Sequence, residues 1–551
     1  DLVVQVEAPP SVGSGLQRVG RAGHQVGATS HGVFFPKFRG DLVQTAVTVE
    51  RMRAGAIESL KVPSNPLDVL AQQIVAMCAM DEWTVPDLEA LVRRSASFAS
   101  LSRPVLESVL DMLAGRYPSD AFAELRPRLV WDRVTDTLTG RRGAQRLAVT
   151  SGGTIPDRGL FGVFIAGEGA SRRVGELDEE MVYESRVGDV ITLGTSSWRI
   201  EEITHDQVRV TPAPGEPGRL PFWKGDTLGR PAELGRAVGA FVREVAGLSP
   251  TKARQRVLKA GLDEWAADNL LTYLKEQREA TGHLPSDTTI VVEKFRDELG
   301  DWRVIVHSPF GAQVHAPWAL GVAARLREQL GVDVQAMHGD DGMVFRLPDT
   351  DWGSWEEGAG DPQSPDILEA ILLDPDEVTV LITDQIGGSA LFASRFRECA
   401  GRALLLPKRR PDRRQSLWQQ RQRASQLLAV ASEFPSFPIV LEAVRECISD
   451  VFDVPGLVEL MTDLRARRVA LVEVQTPTPS PFARSLLFGY VAQFLYEGDS
   501  PLAERRAAAL SLDPALLAEL LGTSEGLALR DLLDPDALTA TERELQHLSE
   551  T

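Results

Sequence analysis

Residues 17–24 read Gln-Arg-Val-Gly-Arg-Ala-Gly-His. Arg18 and Arg21 stand three apart, and Gly20 and Gly23 give the backbone freedom for a tight turn. Guanidinium groups gathered by such a turn make charge-assisted, bidentate hydrogen bonds to phosphate oxygens. Gln17 adds an amide able to contact a phosphate or a water, and His24 titrates near neutrality, so its help to an anion depends on pH. The pattern suits phosphoryl transfer, where catalysis consists of positioning and of stabilising developing charge. A basic, glycine-rich surface turn is the competing reading.

Other stretches carry chemistry with less force. Trp223 and Lys224 sit in Leu-Pro-Phe-Trp-Lys-Gly at 220–225. An indole in such a loop either packs on a satellite core or stacks on an exposed base, worth roughly 1–3 kcal/mol. Lys408, Arg409, Arg410, Arg413, Arg414, Arg421 and Arg423 crowd a stretch whose one acid is Asp412, with Trp418 among them. They form a solvated face or a phosphate track. Arg141, Arg142 and Arg146 raise the same pair of readings. His307 and His315 flank Gly311, but no third ligand follows at a spacing suited to four-coordinate zinc, so a structural loop is the preferred reading and no metal site is expected. Glu497, Asp499, Glu504, Arg505 and Arg506 read as ion pairing at a helix start.

The elements that must position these residues follow from hydrophobic period and turn chemistry. Strand 2–6, the arginine turn, an apolar stretch at 32–35 and a helix over 41–55 look like the end of an α/β domain. Helices are expected at 67–79, at 84–93 with Thr84 as cap and Pro86 in the first turn, and at 104–113. Strands at 129–132 and 146–149 around a basic tip with Arg141 and Arg142 would complete a winged helix. Short β runs at 161–165, 182–183, 190–193, 198–203 and 208–210 suggest a small β-barrel. Helices at 231–245, 250–259 and 263–277 follow, then strands at 289–292, 302–307 and 378–382 alternating with a helix at 317–330, and mostly helical segments at 395–470 and 501–551. The fold class is therefore multidomain α/β plus α+β. The expected domains are 1–60, 61–150 (winged helix), 151–235 (β-barrel) and 236–551 (helical and α/β).

With 551 residues and 43% hydrophobic content, the chain suits several packed domains. A net charge of −19 excludes indiscriminate coating of nucleic acid, because that affinity comes from neutralising phosphates. Acid collects at 349–366 and base elsewhere, which leaves room for a local binding stripe. Cys78, Cys399 and Cys447 lack any paired metal spacing and read as reduced, buried thiols of a cytoplasmic protein. The opening Asp-Leu-Val-Val-Gln-Val reads as a buried strand, so a fragment is expected. No apolar run approaches the roughly 20 residues of a membrane span.

Several stretches together resemble one family across most of the chain. They are Gln17–His24, Leu220–Gly225, His307–Trp318, Leu404–Arg423, Phe437–Asp453 and Pro479–Arg506, the last containing Pro-Ser-Pro-Phe-Ala and Tyr-Glu-Gly-Asp-Ser-Pro-Leu. The sequence resembles the carboxyl-terminal two thirds of the core of the Lhr (large helicase-related) superfamily 2 helicases. The resemblance implies two motor domains, of which 1–60 is the end of the second, RecA-like one, then a winged helix and a family-specific domain with a β-barrel. It implies an ATP-dependent 3′-to-5′ translocase on single-stranded DNA that unwinds DNA or RNA:DNA duplexes in DNA repair.

Carried onto this chain, the resemblance makes Arg21 the arginine finger, with Gln17 beside it as catalytic partner. Gln17, Arg18, Arg21 and His24 would contact the nucleotide, although many superfamily members have an arginine where His24 stands. Trp223 would be the stacking wedge and Ile155, in Ser-Gly-Gly-Thr-Ile-Pro, the aliphatic residue that parts bases. Lys224, Arg141, Arg142, Arg409 and Arg413 would touch nucleic acid. The phosphate loop, the metal-binding acid and the first motor domain would precede Asp1. ATP and Mg2+ would then be held mainly by that missing amino-terminal motor domain, and the chain alone should not hydrolyse ATP. The alternative is a stand-alone, non-enzymatic nucleic-acid-binding or scaffold module from a split gene. An independent hydrolase built on His307–His315 has weaker support.

Overall fold

Strand Leu2–Val6 pairs in parallel with His31–Phe35, Val4 opposite Val33, and helix Val12–Val19 makes the crossover between them. The computed structural model describes residues 2–23, 27, 29–117, 125–155, 160–166, 173–178, 181–182, 185–193, 196–204, 207–213, 229–297, 301–330, 334–347, 367–387, 389–406, 417–434 and 436–487. These fall into two units, the first drawn from the stretches up to 60, from 229 to 385 and from 448 onward, the second from the remainder.

In the first unit, helix Arg39–Ala54 shares one apolar core with helices Ala232–Ala246, Pro250–Ala260 and Glu264–Thr281, through Leu42, Val47, Phe241, Val257 and Leu270. The parallel pair is different, because Leu2, Val4, Val6, Val33 and Phe35 are all exposed. A five-stranded sheet follows in the order Gln335–Gly339, Gly342–Leu347, Trp302–His307, Thr289–Arg296, Ala470–Gln475, antiparallel except for its last pair. Helices Ala312–Leu330 and Val454–Arg465 pack together in the same unit. The β-branched run expected as a strand at 378–382 lies instead in helix Val378–Ile386. Val378, Ile382 and Ile386 recur every fourth residue and are buried, whereas Val380 is 64% exposed, so helical burial outweighs β propensity.

The second unit opens with helix Leu67–Cys78, then Val85–Val92 and Arg103–Ala114. Thr84 caps the second of these, its Oγ1 accepting from the Asp87 N–H at 3.2 Å, with Pro86 in the first turn. Strands Trp83–Thr84, Thr137–Gly140 and Leu129–Asp132 form an antiparallel sheet beside them, completing a winged helix. The second wing strand is therefore at 137–140 and not at 146–149, which belongs to helix Ala144–Ser151. The ribbon ends at Gly140, Gly143 opens the next helix, and its Ala-Gln-Arg-Leu-Ala run packs on Leu67–Cys78. Arg141 and Arg142 consequently follow the ribbon and do not form its tip.

The expected barrel is a curled five-stranded sheet in the order Arg173–Asp178, Leu160–Ile165, Gln207–Pro212, Ser196–Ile203, Val190–Leu193. Register shifts at Val163/Phe164 and Arg209/Val210 curl it around Val163, Ile191, Trp198 and Val208. Among the described residues its edge strands meet by side-chain contact of Leu193 over Gly175, with no ladder between them. Arg173–Asp178 was not expected as a strand, because charge and glycine mask its alternation, and Val182 falls in a helical turn. Helices Ala390–Arg402 and Pro438–Glu446 pack against Leu67–Cys78 in this unit. The segment 501–551 lies outside the described residues.

Candidate functional site

Helix Val12–Val19 carries Gln17 and Arg18 in its last turn, so the tight turn starts later than the glycine spacing implies. Ser11 Oγ caps its start, and the Glu58 carboxylate accepts from Val12 N at 2.6 Å and Gly13 N at 3.1 Å, an anion at the positive end of the helix. At the other end Gly20 N donates to Leu16 O, Arg21 N to Arg18 O and Ala22 N to Val19 O, which winds the chain tightly and buries Ala22. Gln17, Arg18 and Arg21 remain exposed. Arg18 Nη1 donates to Gln5 Oε1 at 3.2 Å, and among the described residues neither guanidinium has a carboxylate partner. Such donors fit the oxygens of a triphosphate. His24 lies outside the described residues.

The donor set for a cation is less suitable. Asp68, Cys399 and Glu446 place ligand atoms within 4.8 Å of one another. Arg402, however, donates to Asp68 at 2.5 Å and to Glu446, so a guanidinium already supplies the positive charge there. Burial pushes the Glu446 carboxyl up to about 7 despite that partner. This cluster joins three helices and does not fit Mg2+.

Ile155 is 91% exposed, on a loop that is itself anchored. Gln72 Nε2 donates to Gly153 O at 3.0 Å while Gly153 N donates back to Gln72 Oε1 at 3.0 Å. Gly153 has φ +119, a conformation that side chains rarely adopt. A large aliphatic group held in water by a fixed loop has no packing role of its own, and Gln72, 81 residues away, gives no signal in the sequence. Arg141 and Arg142 are exposed in the same unit. Trp223, Lys224, Arg409 and Arg413 lie outside the described residues.

The two histidines are buried in separate networks. His307 Nε2 donates to Glu293 Oε2 at 2.7 Å, and Glu293 also accepts from Ser480 N, Ser480 Oγ and Thr476 Oγ1. Burial pushes the Glu293 carboxyl up, but His307 and Ser480 outweigh it and hold the group below its ordinary range. His315 Nδ1 donates to the Gly339 carbonyl at 2.7 Å, so Nε2 accepts from Ser308 Oγ at 2.7 Å. Burial lowers the His315 pKa to about 4. Arg230, also buried, donates to Pro309 O and Asp341 Oδ1, and Gly311 at φ +91 leaves room for Arg230 O, 1.9 Å from where a Cβ would stand. These side chains staple the sheet and present nothing to a substrate.

Residues 50–220 match the model of the large helicase-related protein winged helix domain, and 284–483 match DEAD/H associated. The chain is 62% identical over 550 residues to the Lhr helicase/probable uracil glycosylase of Mycolicibacterium smegmatis, covering 100% of this chain and 36% of that protein. The chain belongs to the Lhr helicase family. It is 52% identical to the Lhr helicase/uracil glycosylase of Escherichia coli over 100% of its length and 35% of that protein. The ATP-dependent helicase Lhr-Core of Methanothermobacter thermautotrophicus is 32% identical over 90% of this chain and 56% of its own. The structure of Mycobacterium smegmatis helicase Lhr bound to ssDNA and AMP-PNP matches with TM-score 0.69 and 56% identity, covering 89% of this chain and 56% of that one. This Lhr chain thus spans about a third of its bacterial relatives. Among its described residues, no helix is long and apolar enough to cross a membrane.

Proposed function

We propose that this Lhr chain is the nucleic-acid-gripping portion of an ATP-dependent 3′-to-5′ translocase that unwinds DNA or RNA:DNA duplexes in DNA repair. The observation that carries this is the likeness, at 56% identity over 89% of the chain, to a helicase captured with ssDNA and AMP-PNP. The exposed parallel pair Leu2–Val6 and His31–Phe35 supports the reading, since parallel strands are ordinarily covered on both faces, as in a motor domain.

On this reading ATP hydrolysis supplies the free energy of movement, with the nucleotide and Mg2+ held mainly by a partnering motor domain. Arg21 stabilises charge on the transferred phosphoryl group. Gln17, Arg18 and His24 contact phosphate oxygens. Ile155 parts neighbouring bases, Trp223 stacks on one of them, and Lys224, Arg141, Arg142, Arg409 and Arg413 hold the backbone.

The test is ATP-dependent strand displacement by the intact protein on matched DNA:DNA and RNA:DNA forks, wild type against Trp223→Ala. Loss of roughly 1–3 kcal/mol of stacking should slow displacement at least about fivefold while ATP binding persists. Unchanged displacement removes the wedge. A wild type that displaces neither strand removes the helicase reading.

A further inference from the structure

Where helix Arg103–Ala114 meets the wing strands, Asp111 sits between two guanidiniums, receiving Arg116 Nη1 at 2.6 Å and Arg133 Nη2. Arg116 and Arg133 expose 70% and 58% of their side chains, whereas Asp111 exposes 13%. The carboxylate is therefore a half-buried post that orients two outward cations. Together with Arg141 and Trp131 they line an open groove of about 600 Å³. Three guanidiniums against one carboxylate make this a basic spot on a chain of net charge −19. A guanidinium has more N–H donors than one carboxylate oxygen uses, so both arginines keep hydrogen-bonding capacity facing the groove.

The groove's aromatic is already occupied. Arg133 stacks over Trp131 at 3.2 Å from the ring centroid, and the indole N–H donates to Asp136 at 3.0 Å. Single-strand sites pair a cationic track with aromatic faces that stack on bases. Duplex backbone sites need only cations and donors at phosphate spacing. We propose that this groove, through Arg116 and Arg133, binds the phosphate backbone of duplex nucleic acid, a contact separate from the base-contacting Ile155 and Trp223. The proposal rests on the nucleic-acid reading of the chain and deepens it, giving the duplex its own contact on the winged helix.

The experiment is fluorescence anisotropy of this chain with a blunt duplex and with a single strand of the same sequence, each over a salt series. Wild type should bind both. Arg116→Ala/Arg133→Ala should weaken duplex binding about tenfold and reduce the magnitude of its log–log salt slope by about two, leaving the single strand unchanged. Asp111→Asn, which keeps the shape and releases both guanidiniums, should tighten duplex binding severalfold. The proposal is overturned if the double variant binds duplex like wild type, if it loses both probes equally, or if the two variants shift affinity in the same direction. Wild type that holds single strand but not duplex defeats the groove alone. Wild type that holds neither defeats the nucleic-acid reading with it.

Discussion

Two stretches of one unit carry side chains capable of chemistry, and they face opposite ways. Gln17, Arg18 and Arg21 stand exposed at a helix end, with guanidinium donors that no carboxylate among the described residues takes up. Glu293, His307, Ser308, His315 and Ser480 are at most 1% exposed, and each is engaged by another of them or by backbone, with only His307 Nδ1 lacking a partner among these described side chains. The contrast teaches that residue type alone does not mark a site. In a low-dielectric interior a polar group must be partnered to be tolerated, and a serine–histidine pair so held is a staple.

If that contrast is right, changes to the inward set should cost stability. Glu293→Ala strands the donors of His307, Ser480 and Thr476 and should destabilise the unit by about 3–5 kcal/mol in urea unfolding. A loss within a few tenths of a kcal/mol would break the comparison. The acid limb comes next. With its folded pKa near 4 against an ordinary 6.5, His315 takes up a proton more readily when unfolded. Its contribution, roughly 3 kcal/mol, is complete above pH 6.5 and is lost as pH falls toward 4. His315→Gln should flatten that limb between those values, and an unaltered limb would show that another group governs it. Ser308→Ala leaves His315 Nε2 without its donor and should cost about 1–3 kcal/mol. Smallest of all, Arg18→Ala should shift stability by less than about 0.5 kcal/mol, since it removes only an exposed contact with Gln5.

What was legible in the sequence was local. Thr84-Val-Pro-Asp declares a capped helix because the cap hydrogen bond closes within four residues. The run Leu2–Val6 was readable as a strand, although Leu2, Val4 and Val6 are exposed and not buried as the run implies, and the helices from 231 to 281 were readable from period. The wing's second strand was misplaced because Thr-Leu-Thr-Gly is short, whereas Arg146–Val149 is apolar enough to mimic a strand while lying in a helix. Long-range partners left no trace. Gln72 fixes the Ile155 loop from 81 residues away, and Arg402 reaches Asp68 across 334. Pro-Ser-Pro-Phe-Ala is a family mark in the sequence, but only the fold shows its serine bound to Glu293. The resemblance alone singles out Ile155, and its exposure is a property of the folded loop.

The most direct measurement pairs nucleic-acid-stimulated ATP turnover with thermal unfolding of the intact protein for Arg21→Ala and Ser308→Ala. The account predicts that Arg21→Ala loses turnover by about a thousandfold or more at an unchanged Tm. Ser308→Ala should lose Tm and keep its turnover. Turnover that survives without Arg21, or that disappears with Ser308 at full stability, would contradict it.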